Sequence, residues 1–280
     1  MRIKPLELRV KAIMEGLWKG IHRSPWHGFS AEFSEYRDYS PGDDPRRIDW
    51  KVLAKSDRAY VKRFEDETNL RAHLLVDRSQ SMGFGSGEIT KADYAGTLAA
   101  TLAYFLVGQG DAVGLFTFSE GLDEVLPPKS RISHLQRIFQ ELDQEPGGGT
   151  DLDGPLAEIA AMIHRRGLVV LISDLLAPTE MLEDRLRDIM VRGHQCVVFQ
   201  ILDPEEIEFG YQDAIWFTDL ESGERKFIDP EQAREAYQVR IEAHSAALRN
   251  CCETNGAQFF RLSTADPIDL ALFEYLAGGA

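Results

Sequence analysis

The stretch Leu74-Leu75-Val76-Asp77-Arg78-Ser79-Gln80-Ser81-Met82 decides the reading of this 280-residue chain. Its apolar first half, entered from His73, has the near-continuous hydrophobicity of a strand buried on both faces. The strand ends in an aspartate followed by hydroxyls at the second and fourth positions. An extended turn there sets Asp77, Ser79 and Ser81 on one side, three hard oxygen donors suited to Mg²⁺ or Mn²⁺. Taken alone, Asp-x-Ser-x-Ser is also the composition of an ordinary turn or helix cap, so its meaning depends on its surroundings.

Those surroundings repeat the pattern. Residues 112–118, 168–172, 196–202 and 258–262 are further short, β-rich apolar runs. Helical periodicity fills the intervals at 90–107, 131–142, 152–164, 179–191 and 231–253. Alternation of this kind, each run separated from the next by at least one helical stretch, predicts an α/β fold, a doubly wound and mostly parallel Rossmann-like sheet with helices on both faces. Residues 122–126 follow the 112–118 strand after only Ser119-Glu120-Gly121, too few for a parallel crossover, so they are expected as one antiparallel edge strand.

In open sheets ligands sit beyond the carboxyl ends of the strands. Two more loops at such ends carry oxygen donors: Gly147-Gly148-Gly149-Thr150-Asp151 and Ile172-Ser173-Asp174. Together with the first strand's turn they bring two carboxylates and three hydroxyls from three loops. The candidate metal ligands are therefore Asp77, Ser79, Ser81, Thr150 and Asp174.

Upstream, apolar residues at Leu6, Val10, Ile13, Met14 and Leu17 predict an amphipathic helix. Residues 19–58 lose that period. They hold Ser24-Pro25, the turn-rich Ser40-Pro41-Gly42-Asp43-Asp44-Pro45 and scattered rings (Trp26, Phe29, Phe33, Tyr36, Tyr39, Trp50), an irregular layer expected to pack on a core through its aromatics. Residues 60–64 look like a short strand. The boundaries are accordingly a helix and arm over 1–70 and a main domain over 71–280.

Charge marks the same division. Residues 1–72 hold 15 Lys and Arg against 12 Asp and Glu, leaving 16 against 34 in the remainder, and the whole chain stands at −15. Such a balance argues against phosphate neutralisation and hence against a nucleic-acid role. Cys196, Cys251 and Cys252 form neither a disulfide framework nor a spaced metal cluster, which suits a reducing compartment. The first residues lack an apolar signal region, and the longest uncharged run, 94–110, is too short and too polar for a bilayer span. The expectation is a cytoplasmic protein with no membrane span.

The five donors resemble the metal-ion-dependent adhesion site of von Willebrand factor A-like domains, in the same chain order. A longer resemblance covers nearly the whole sequence. Ser24-Pro25-x-x-Gly28, Glu35-Tyr36-Arg37-x-Tyr39, Pro41-Gly42-Asp43-Asp44-x-Arg46-x-Ile48-Asp49-Trp50 and Val61-Lys62-x-Phe64-Glu65 resemble the signature of bacterial domain-of-unknown-function family fifty-eight. That resemblance implies a von Willebrand factor A-like domain with the adhesion-site motif, and association with MoxR-type AAA+ ATPases. It implies a metal-dependent protein-binding adaptor, with Mg²⁺ or Mn²⁺ as cofactor and a partner carboxylate as the last ligand.

Enzyme readings meet specific gaps. A Mg²⁺-dependent hydrolase or phosphatase using Asp77 remains the alternative, but the haloacid dehalogenase type needs a second aspartate two residues on, where Ser79 stands. No Gly-x-x-x-x-Gly-Lys-Ser/Thr, Gly-x-Gly-x-x-Gly or Gly-x-Ser-x-Gly occurs. Gly83-Phe84-Gly85-Ser86-Gly87 reads as a flexible rim of the site. Asp93 reads as a first-turn helix acid, Asp151 and Asp153 flank a helix start, and His164 and His194 read as a helix-end and a strand-edge residue. The cluster of Asp43, Asp44, Arg46, Arg47 and Asp49 reads as a turn whose charges pair around Trp50, or as a docking surface.

Overall fold

A computed structural model describes residues 5–23, 36–38, 60–62, 70–149, 151–218 and 223–278. Its contacts divide the chain into two compact units, one of residues 24–69 and one of residues 1–23 with 70–280. In the smaller unit β1 (Tyr36–Asp38) pairs antiparallel with β2 (Tyr60–Lys62), Tyr36 opposite Lys62. The β2 strand answers the expectation at 60–64. The expected ring packing of Trp26, Tyr39 and Trp50 and the charged cluster at 43–49 lie outside the described residues.

The larger unit is built on a six-stranded sheet. Its strands are β3 (Arg71–Asp77), β4 (Ala112–Phe118), β5 (Leu122–Lys129), β6 (Leu168–Ser173), β7 (Gln195–Leu202) and β10 (Gln258–Ser263), in the spatial order β10-β7-β6-β3-β4-β5. Every pairing is parallel except β4 with β5. That antiparallel strand lies at an edge, as its three-residue connection requires. Pro127 and Pro128 sit within β5, a position proline tolerates only where no inner ladder needs its missing N–H.

The two faces of the sheet carry separate cores, and the period-two alternation of the strands assigns residues between them. Leu74, Val76, Val170 and Ile172 join one core with α1 (Leu6–Arg23), α2 (Lys91–Gly108), α3 (Ile132–Leu142) and α8 (Ile268–Gly278). Leu75, Val169 and Leu171 face the other, with α4 (Asp153–Met162), α5 (Thr179–Val191) and α7 (Pro230–Thr254). The apolar stripe of α1 buries Leu6, Val10, Met14 and Leu17 in the first core. This helix therefore belongs to the same unit as the sheet.

Five described elements have no counterpart in the sequence reading: β1, which falls in the stretch read as irregular, the short α6 (Pro204–Glu208), the hairpin strands β8 (Ile215–Thr218) and β9 (Arg225–Ile228), and α8. The hairpin leaves Trp216 and Phe227 exposed on one face and sets Phe217 against Phe209 on the other, so each short strand has an apolar residue on both faces and no apolar–polar alternation to report it. No helix among the described residues is long and apolar enough to cross a membrane.

Candidate functional site at the ends of two parallel strands

Strands β3 and β6 run side by side with Val76 opposite Ile172, so both release their chains at the same level. Asp77 thus meets Ser173 and Asp174. Asp77 Oδ1 accepts the Ser79 N–H at 2.8 Å, and Oδ2 accepts the Ser173 hydroxyl at 2.5 Å. The Ser79 and Ser81 hydroxyl oxygens are 3.1 Å apart, and Ser81 donates to Asp174 Oδ2 at 2.8 Å. Four of the five candidate ligands are therefore neighbours. Asp77, Ser79 and Asp174 are almost wholly buried, and Ser81 is half-buried.

Thr150 lies outside the described residues; its described neighbours on either side are tied to the turn after β3 and to the end of β4. Gln80 N–H donates to Gly148 O at 3.1 Å, Gly147 N–H to Arg78 O at 2.9 Å, and Asp151 N–H to Ser119 O at 3.2 Å. Gly148 adopts a φ of 83°, and a β-carbon there would lie 3.1 Å from the Ser119 hydroxyl. A side chain there meets both the left-handed backbone and that contact.

Two buried carboxylates at one place are electrostatically costly. Burial pushes the Asp77 pKa up to about 6, the Asp174 charge adds to the rise, and the hydrogen bonds from Ser173 and Ser79 oppose it. Asp174 is differently served. Lys91, the first residue of α2 and fully buried, places Nζ 2.8 Å from Asp174 Oδ2 and 2.6 Å from Glu206 Oε1. Burial alone would lower the Lys91 pKa, but Asp174 and Glu206 outweigh it and hold the ammonium charged. Burial in turn raises the Glu206 pKa against the opposing pull of Lys91.

The backbone around the pair is fixed from a third strand. Gln200 of β7 donates to Asp174 O at 3.1 Å and accepts from Ser245 of α7 at 2.9 Å. Leu175, next in the chain, takes a φ of 52°, a left-handed conformation that a branched residue keeps only under constraint. Its N–H is held by the Ser173 hydroxyl at 3.0 Å and its carbonyl lies 2.7 Å from His244 Nε2.

The rim departs from the flexible reading given to residues 83–87. Ser86 donates to Asp203 twice, N–H to Oδ2 at 2.9 Å and hydroxyl to Oδ1 at 2.5 Å, and Phe84 O accepts the Lys91 N–H at 2.9 Å. Glycine serves close approach there: a β-carbon on Gly85 would lie 2.6 Å from Ile89 O. Asp93 is a capping acid, closing a reciprocal box with Thr90, and Asp151 Oδ1 accepts from Asp153 N–H at 3.0 Å at the start of α4. His194 is buried at the entry to β7.

Sequence reasoning missed Lys91, Glu206, Ser173 and Gln200. One signal was available for Lys91: a lysine in the first turn sits at the positive end of the helix dipole and calls for a compensating acid. Glu206 was masked by its second role, since its Oε2 accepts the Asp203 N–H at 2.9 Å in a capping box.

Beside Ser81 the surface opens into a groove of about 660 Å³, lined among others by Phe84, Leu176, Glu206, Phe209 and Tyr237. Phe209 stacks on Tyr237 at 4.6 Å and on Phe217 at 5.5 Å between centroids.

The mostly parallel sheet with one antiparallel edge is a mixed α/β fold of the von Willebrand factor A-like kind. The chain belongs to the family described as "Protein of unknown function DUF58", whose model matches residues 35–247. It is 30% identical over 268 residues to "Uncharacterized protein Rv1480" of Mycobacterium tuberculosis, covering 94% of this chain and 84% of that protein. Among solved structures it is similar in fold to an aerotolerance-related membrane protein from Bacteroides fragilis, with 16% identity, a TM-score of 0.51, and 75% of this chain and 99% of that one covered. The pilus adhesin SpaC from Lactobacillus rhamnosus GG matches at 13% identity and a TM-score of 0.50 over 90% of this chain and 37% of that one.

Proposed function

We propose that this chain is a metal-dependent protein-binding module, acting in the cytoplasm as an adaptor for a MoxR-like AAA+ ATPase. The observation that carries the metal reading is the convergence of two buried carboxylates, Asp77 and Asp174, with the Ser79 and Ser81 hydroxyls linked to Asp174. An all-oxygen donor set of this kind fits Mg²⁺ or Mn²⁺. Asp77, whose burial disfavours its charge, gains most from a cation.

The donor set is also incomplete. Among the described residues no group of three or more His, Cys, Asp or Glu is arranged to hold a metal. An ion held by Asp77, Ser79, Ser81, Asp174 and Thr150 therefore takes its remaining oxygens from water or from a partner. A carboxylate of a protein client is the ligand we assign to that position. The aromatic groove beside Ser81 supports a protein partner, since rings next to a charged anchor are the composition of an interaction surface. The ATPase assignment rests on the association with MoxR-type ATPases that the sequence resemblance implies. For the hydrolase alternative, Asp77 is a poor nucleophile, because both its oxygens accept hydrogen bonds and it is 1% exposed.

Capture of a MoxR-like ATPase by the full chain in Mg²⁺, and its loss in chelator and in Asp77→Ala, is the expected result. Equal capture in all three conditions would refute the metal-dependent reading.

A further inference from the structure

Lys91 is the least expected residue of the site. It opens a helix, where the dipole disfavours a cation, and it is fully buried, where an unpaired ammonium is costly. Both penalties are offset by Asp174 at 2.8 Å and Glu206 at 2.6 Å. Asp174 Oδ2 already receives Ser81, so with Lys91 that oxygen takes two donors. The Asp174 oxygen that Ser81 contacts is thus engaged by a charge that belongs to the chain. Oδ1 is left with the Leu176 N–H at 3.4 Å, a weak contact.

We infer that Lys91 is a built-in cation that competes with the divalent ion for Asp174 and so sets how tightly this site holds metal. The inference rests on the metal reading of the same site. Two carboxylates, Asp174 and Glu206, contact the ammonium, and Asp77 beside Asp174 adds a third acid, so the balance of charge still admits a divalent ion. Lys91 lowers that ion's affinity in two ways. It repels the ion through a poorly screened interior, and it must yield Asp174 Oδ2, wholly or in part, before that oxygen turns to the metal. Weak intrinsic occupancy makes the site dependent on an added ligand. A client carboxylate that completes the shell then raises metal affinity, and the metal raises client affinity by the same factor.

The test is calorimetric titration of the full chain with Mg²⁺ and with Mn²⁺, in wild type, Lys91→Met and the double variant Lys91→Met/Glu206→Gln. The double variant removes one charge of each sign, so the net charge near the site is unchanged. It also avoids leaving Glu206 ionised and unpaired, and glutamine retains the capping oxygen. Both variants are expected to bind Mg²⁺ tighter than wild type, by about tenfold for the single change, and to gain more thermal stability on adding Mg²⁺. Tight binding by the variants with none by wild type supports the inference equally. If Lys91→Met does not fold, the double variant decides. A folded double variant that binds no tighter than a metal-binding wild type overturns the role of Lys91 and leaves the metal reading standing. Absence of binding by all three proteins ends both.

Discussion

The Ser173 hydroxyl donates to Asp77 Oδ2 at 2.5 Å, a bond between the last residues of two adjacent parallel strands. It ties the site to the sheet's own register, because a slip of β6 against β3 by one residue would turn Ser173 to the opposite face. The carboxylate is consequently held in place by the fold even though its charge is unfavourable there.

That conflict gives the first expectation. Asp77 has a folded pKa of about 6 against 3.8 in the unfolded chain, so between those values the native state binds more protons and stability falls as pH rises through the window. The full effect is about 3 kcal/mol and is present above pH 6. Metal-free Asp77→Asn should melt higher than metal-free wild type at pH 7.5, by roughly 5 °C, and the difference should vanish near pH 4. Thermal melts in chelator across that range check it; an Asp77→Asn protein less stable than wild type at pH 7.5 would make the carboxylate a structural acceptor.

His73 carries the opposite pH dependence. Burial, the neighbouring His194 and Arg71 lower its pKa from 6.5 to about 4, so it is neutral in the fold and charges on unfolding. Between about pH 6.5 and 4 the unfolded chain binds the extra proton, and stability is lost as pH falls, reaching about 3 kcal/mol below pH 4. His73→Leu should flatten the acid side of the melting profile. An unchanged slope would assign acid sensitivity elsewhere.

Asp203 holds the rim. Its side chain accepts from Ser86 twice, from Glu205 N–H at 2.9 Å and from Thr264 at 3.3 Å. Asp203→Ala should cost about 2–3 kcal/mol and raise amide exchange across residues 84–87 specifically. Protection of those amides unchanged in the variant would show that the Phe84–Lys91 backbone bond suffices.

The amino-terminal helix is part of the domain's core. Leu17→Ala, with Leu17 buried beside α2 and α8, should cost about 2–4 kcal/mol, and a chain lacking residues 1–23 should aggregate by exposing the apolar faces of those helices. A monomeric, cooperatively melting fragment 24–280 would contradict this.

The parts legible in the sequence were those with a strong period. Strands such as Ala112–Phe118 and helices such as Thr179–Val191 carry their burial in their spacing, and Asp77, Ser79, Ser81 and Asp174 follow from standing where buried strands end. What stayed hidden has physical causes. The β8–β9 hairpin has four-residue strands with rings on both faces, Trp216 and Phe227 outward and Phe217 inward, so no alternation announces it. Lys91 and Glu206 look like ordinary helix-start residues, and only the folded chain, which joins positions 115 apart, gives them a shared burial. Ser173 is masked by Asp174 beside it, a donor hidden by the more obvious ligand.

The central claim, that Asp77 and Asp174 hold a divalent ion between them, is tested most directly by anomalous diffraction at the manganese edge from crystals of the full chain grown with Mn²⁺. The expected result is a peak within coordination distance, about 2.0–2.6 Å, of oxygens from Asp77 or Asp174 and from Ser79 or Ser81. It should be lost in Asp77→Ala. Clear density for the two carboxylates with no peak between them at saturating Mn²⁺, and Lys91 still seated on Asp174, would contradict it.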